Sequence, residues 1–128
     1  MSYTFNRLLT GVSFAEADAR TRKALGENGF GVLTEIDVAA TMKKKLDVEM
    51  RPYLILGACN PKMAYQAIGI EPRVGAMLPC NVILRAVDGG VEVSAIDPVA
   101  SMQAIENPAL HAVAGQVRDL LAKAVAAI

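Results

Sequence analysis

Val74-Gly-Ala-Met-Leu-Pro-Cys-Asn-Val-Ile-Leu-Arg-Ala-Val87, followed by Asp88-Gly-Gly90 and Val91-Glu-Val-Ser-Ala-Ile96, decides the fold. Two apolar, β-branched runs flank a glycine-rich turn, which is the pattern of an antiparallel hairpin. Pro79 has no N–H to give a ladder, so a bulge or an edge is expected where it interrupts Val74–Val87. Asp97-Pro98 stops the second strand, and a loop with a helical turn over Val99–Ile105 follows.

Upstream, Pro52 opens a strand over Tyr53–Ala58 that ends at Cys59-Asn60-Pro61. Asn60 suits the cap and Pro61 the first turn of a short helix running to about Ile68, with Gly69 as its stop. Another short helix, Ala39–Leu46, carries Lys43, Lys44 and Lys45. The strand before it, Phe30–Val38, places Phe30, Val32, Thr34, Ile36 and Val38 on one face and Gly31, Leu33, Glu35 and Asp37 on the other. Ser13 and Glu16 have capping-box spacing and begin a helix with an inner stripe of Phe14, Ala17, Thr21, Ala24 and Leu25. Asn28-Gly29 ends that helix, and Tyr3–Leu9 alternates as the first strand.

Toward the other end, Leu110, Val113, Ala114, Val117, Leu121, Ala124, Val125 and Ile128 recur at three- and four-residue spacing. They predict a closing helix over Pro108–Ala127, roughly 30 Å long. His111, Gly115, Arg118, Asp119 and Lys123 fall on its wet face. The order is strand, helix, four strands with short helices between them, and a closing helix. That is an α+β chain with two main helices packed on one face of an antiparallel sheet. At 128 residues it forms a single domain, 1–128.

Composition narrows the function classes. Hydrophobic residues at 53% and charged residues at 20% exclude intrinsic disorder. Thirteen basic residues balance thirteen acidic ones, so nothing draws the chain as a whole to nucleic acid or to an anionic membrane. No apolar stretch nears the roughly 20 residues that span a bilayer, and no basic segment leads into an apolar run as in a secretory signal. Two cysteines make no disulfide framework, and a cytoplasmic location is expected.

Several phrases recur together: Gly29-Phe-Gly-Val-Leu-Thr-Glu-Ile-Asp-Val38, Tyr53-Leu-Ile-Leu-Gly-Ala-Cys-Asn-Pro61 and Gly75-Ala-Met-Leu-Pro-Cys-Asn-Val82, with Asp88-Gly-Gly-Val91 and Asp97-Pro98 after them. In this combination the chain resembles the bacterial and archaeal domain-of-unknown-function family 302 over essentially its whole length. The resemblance implies a β-α-β4-α arrangement similar to one repeat of the TATA-binding-protein fold, often in a dimer. It implies no reaction, because fold does not carry function. Cys-Asn-Pro and Leu-Pro-Cys match one branch, while a similar branch has Gly-Asn-Pro, so Asn60-Pro61 is the steadier part of that phrase.

The first candidate site is Cys59 with Cys80, joined by Asn60 and Asn81. If their strands are antiparallel neighbours, the two cysteines come near each other at one end of the pair. Three readings stand side by side: two small buried hydrophobes, a redox or nucleophilic pair, and a thiolate metal or cofactor site short of further soft ligands. In the second, the helix start at Pro61 would favour the Cys59 thiolate, Cys80 would resolve it, and Asn60 and Asn81 would orient a substrate. The second candidate is Glu35 with Asp37, extended by Asp97. These carboxylates could serve a hard metal or acid–base work, pair with Arg7, Arg51, Arg73 or Arg85, or stand as exposed residues, Asp37 as a helix cap. His111 is a lone surface histidine, and Met63, Met77 and Met102 read as flexible core filling.

No complete catalytic set emerges, and no cofactor or metal is specified. The leading expectation is a small homodimeric binding or interaction module, with a small molecule as a ligand and neither nucleic acid nor membrane as a partner. Tyr3, Phe5, Tyr53 and Ile55 would contribute to the uncovered sheet face. The alternative is a thiol-dependent redox or ligand/metal-binding protein using Cys59 and Cys80.

Overall fold

The computed structural model describes residues 2–128. Its elements are β1 (Thr4–Leu9), α1 (Phe14–Glu27), β2 (Gly31–Asp37), α2 (Val38–Leu46), β3 (Tyr53–Cys59), α3 (Pro61–Ile70), a 3-10 segment (Pro72–Met77), β4 (Cys80–Val87), β5 (Gly90–Ile96), α4 (Pro98–Ser101) and α5 (Pro108–Ala126). The strands form one antiparallel sheet in the order β1-β5-β4-β3-β2. The predicted α+β architecture is therefore observed, with α1 and α5 covering one face of the sheet.

Alternation along the central strands sets that face. Leu54, Leu56 and Ala58 on β3, Val82 and Leu84 on β4, and Val91, Val93 and Ala95 on β5 are buried together with Ala17, Leu25 and Leu121 from the two helices. The caps fall where the residue types require them. Ser13 Oγ accepts from Glu16 N at 3.0 Å, and Asn107 Oδ1 accepts from Ala109 N and Leu110 N. Asp88 and Gly89 form the β4–β5 turn, Gly89 at φ +90°. A side chain on the next residue, Gly90, would run into the Leu9 carbonyl oxygen, with a Cβ 2.0 Å from it.

Three expectations are corrected. The strand over Val74–Val87 begins only at Cys80: Pro72–Met77 winds into a 3-10 segment, and a cis Leu78–Pro79 bond links it to β4. Pro79 cannot extend the ladder, and Val74 is fully buried in a second apolar cluster instead. In β2, the facing changes at a bulge. Val32 pairs with Ala58 and Thr34 with Gly57, which leaves Leu33 as the extra residue. The bulge puts Glu35 and Asp37 on the side of Val32 and sends Thr34 and Ile36 to the open face. Phe5 also departs from expectation. It pairs with Ala95 and packs against the core beneath the helices, away from the open face.

The second cluster lies off one end of the sheet. Ala67 of α3, Val74, Met102, and Leu110, Val113 and Ala114 of α5 are buried there, and Val117 packs against both clusters. Its placement gives the molecule an apolar interior in two lobes, with the functional candidate between them.

Candidate functional site

A cavity of about 330 Å³ separates the two lobes. Its floor is the β3–β4 end of the sheet, and its walls are α3, the 3-10 segment and α5. Asn60-Pro61 builds one wall: Asn60 Oδ1 accepts from Met63 N at 3.1 Å, and Pro61 occupies the first turn, where a missing N–H is harmless. Small residues at Ala58, Ala64, Ala67 and Ala114 line the space and keep it open. Leu33 and Ile68, exposed at 65% and 45%, mark its mouth.

Cys59, Asn60 and Cys80 all line this cavity. Ala58 pairs with Cys80 across the two strands, so Cys59 lies one residue from the position opposite Cys80. Both cysteines are free thiols, Cys59 half-buried and Cys80 buried. Burial pushes the Cys59 thiol up from its ordinary value. Burial and, after it, the charge of Cys59 push Cys80 up to about 11. The shift runs opposite to thiolate activation. At the α3 start the Met63 N–H goes to the Asn60 side chain and the Ala64 N–H to the Asn60 carbonyl, so both donors are already engaged.

The other candidates lie elsewhere. Asn81 pairs with Gly57 and faces the open side of the sheet, in a broad concavity shared with Tyr3, Tyr53, Arg85, Glu92 and Ser94. Glu35 forms an ion pair with Arg22 of α1, which also holds Asp18 at 2.8 Å. Asp37 caps α2 through Ala40 N at 2.9 Å, and Asp97 caps α4 through Val99 N. The six proposed site residues thus divide into three places: Cys59, Asn60 and Cys80 together, Asn81 apart, and Glu35 with Asp37 beside α1 and α2. Three of the four arginines expected to serve Glu35 are used otherwise, Arg7 on the end of α5, Arg51 on Asp88 and Arg85 on Glu92, and Arg73 lies in the 3-10 segment. Among the described residues, no three His, Cys, Asp or Glu side chains gather as a metal-ligand set.

Met63 and Met102 were legible only as apolar filling, yet both stand on the cavity wall. The sequence signal that could have found the cavity is the small-residue pattern on α3 facing Ala114 on α5. That signal needs the packing of the two helices to acquire meaning.

The model of the family Domain of unknown function DUF302 matches residues 6–128. The crystal structure of an uncharacterised conserved DUF302 protein from Bacillus stearothermophilus is similar, with a TM-score of 0.90 over 98% of each chain at 24% identity, which shows a shared fold. No curated protein matches the chain. The match across nearly the whole sequence places this chain in the family Domain of unknown function DUF302.

Proposed function

We propose that this protein is a non-catalytic, homodimeric module that binds a small molecule in the cavity between α3 and α5. The carrying observation is an opening of about 330 Å³ at the junction of two apolar lobes, in the size range of ligand pockets. Its wall holds no ionisable side chain except two thiols, both shifted toward the neutral form. This favours binding over the thiol-dependent alternative, because a nucleophilic or metal-holding cysteine works as the thiolate. A cytoplasmic setting belongs to the same reading, supported by two cysteines that remain free.

A second copy is the proposed cover for the open face of the sheet. Tyr3, Leu8 and Ile36 are exposed there, around the Arg85–Glu92 pair at 2.9 Å. Under two-fold symmetry, Arg85 of each copy can approach Glu92 of the other, a self-complementary arrangement.

A ligand-observed NMR screen of fragments on the wild type and on Ala67→Leu tests the binding. Fragments bound by the wild type and lost when three carbons are added to the wall are expected; a screen with no such fragment overturns it. Light scattering on a sizing column should give twice the chain mass, and a strict monomer at high micromolar concentration would overturn the dimer.

A further inference from the structure

We infer that the ligand of this cavity is an uncharged, hydrocarbon-rich molecule of about a dozen heavy atoms that carries one hydrogen-bond acceptor; the inference rests on the binding function proposed above. The size follows from the volume. At roughly 30 Å³ for each water-sized group, about 330 Å³ holds some eleven of them.

Neutrality follows from the wall. Its residues include no Lys, Arg, His, Asp or Glu, so a charged group would enter without a partner and bear an uncompensated desolvation cost. Phe30 and four sulfur-bearing residues, Cys59, Cys80, Met63 and Met102, line it instead. Thioethers and thiols are polarisable and favour contact with aromatic faces and edges, so a ring suits this wall. The exposed mouth residues, Leu33 and Ile68, are apolar as well, which extends the same preference to the entrance.

The acceptor follows from Asn60, whose carboxamide is the one side chain on the wall with nitrogen or oxygen. Its Oδ1 is committed to Met63 N, whereas its Nδ2, beside Gly29 at the edge of the wall next to Phe30, makes no hydrogen bond among the described residues and is open to water or to a ligand. A carbonyl, ether or hydroxyl oxygen on the ligand would satisfy that donor.

Three probes of nearly equal size separate these properties: 1-acetonaphthone (neutral, with an acceptor), 1-ethylnaphthalene (neutral, without one) and 1-naphthoate (charged). Fluorescence titration of the wild-type protein should show 1-acetonaphthone binding at least about tenfold more tightly than 1-naphthoate. Ala67→Leu should abolish that binding. Asn60→Ser, which keeps a capping oxygen, should bring 1-acetonaphthone down to the level of 1-ethylnaphthalene. Binding of 1-naphthoate that equals or exceeds that of 1-acetonaphthone and is lost in Ala67→Leu overturns the neutral class and leaves the binding function standing. Failure of both neutral probes to bind at about 1 mM overturns the inference. The binding function itself falls only if the fragment screen also finds nothing sensitive to Ala67→Leu.

Discussion

Cys59 opposes the ionisation of Cys80: burial first, and then the charge of Cys59, hold the Cys80 thiol at about 11. Both groups face one cavity, and both are most stable there as neutral thiols. The pair therefore contributes two small polarisable wall groups rather than a nucleophile with a resolving partner.

Alkylation should follow this order. At neutral pH iodoacetamide should modify both thiols more slowly than a free cysteine in a peptide, with Cys80 slower than Cys59. Mass spectrometry of native protein over a pH series checks it. Fast labelling of Cys59 at pH 6 would restore the thiol-dependent alternative.

The raised Cys80 value also fixes the sign of a pH effect. The folded state keeps a proton that the unfolded chain releases near pH 9, so this contribution is fully present below that pH and is lost as pH rises toward 11. Denaturant midpoints of the wild type should fall more steeply over that window than those of Cys80→Ala. Parallel curves would contradict the assignment.

Gly57 on β3 is confined by its neighbours. A Cβ there would lie 2.1 Å from Thr34 Oγ1 and 2.7 Å from Pro79 Cγ. Gly57→Ala should destabilise the fold by about 1–3 kcal/mol, the cost typical of overpacking. Adding Thr34→Ala should recover part of the loss, which chemical denaturation of the single and double variants would measure. Equal stabilities of Gly57→Ala and the wild type would show that β2 yields without strain.

Arg7 turns a charged side chain inward from β1 to the end of α5, where it donates to the Ala126 carbonyl at 2.7 Å and to that of Val125 at 3.4 Å. It meets the negative end of the helix dipole, at the Ala126 carbonyl and at the Val125 carbonyl that Ile128 N also reaches at 3.4 Å. Arg7→Met should cost about 1–2 kcal/mol of unfolding free energy, because it keeps the apolar stem and removes the charged hydrogen bonds. A change below a few tenths would mean that water replaces the guanidinium without loss.

Local chemistry made much of the fold legible. Ser13 and Asn60 announced helix starts that the structure keeps, and Asp88-Gly89 announced the hairpin. The spacing of Leu110, Val113, Ala114, Leu121, Ala124 and Val125 gave the buried stripe of α5. What escaped was a matter of register and of long-range packing. A single extra residue at Leu33 reversed the facing of Glu35 and Asp37, a change that period-two alternation cannot foresee. Arg22 became the partner of Glu35 because α1 crosses beside β2, a proximity that no sequence spacing encodes. The site was legible only in part. The sequence suggested that Cys59 and Cys80 meet, but the cavity beside them depends on how α3 and α5 pack over the sheet end.

Filling that space should strengthen the protein while silencing it. Ala67→Leu places three more carbons against the cavity, and each methylene moved out of water adds about 0.8 kcal/mol if it fits without strain. A net gain of about 1 kcal/mol in denaturant unfolding is expected, since partial strain offsets part of the transfer. A loss of stability would show that the wall is already full.

The most direct test is an NMR titration of protein carrying ¹³C-labelled methionine methyl groups, with 1-acetonaphthone as the probe. Met63 and Met102 line the cavity, whereas Met42 on α2 and Met50 beyond it do not. Saturable shifts are expected at Met63 and Met102, with Met42 and Met50 unmoved. Unmoved signals throughout, or shifts confined to Met42 and Met50, would contradict a neutral, hydrocarbon-rich ligand between α3 and α5.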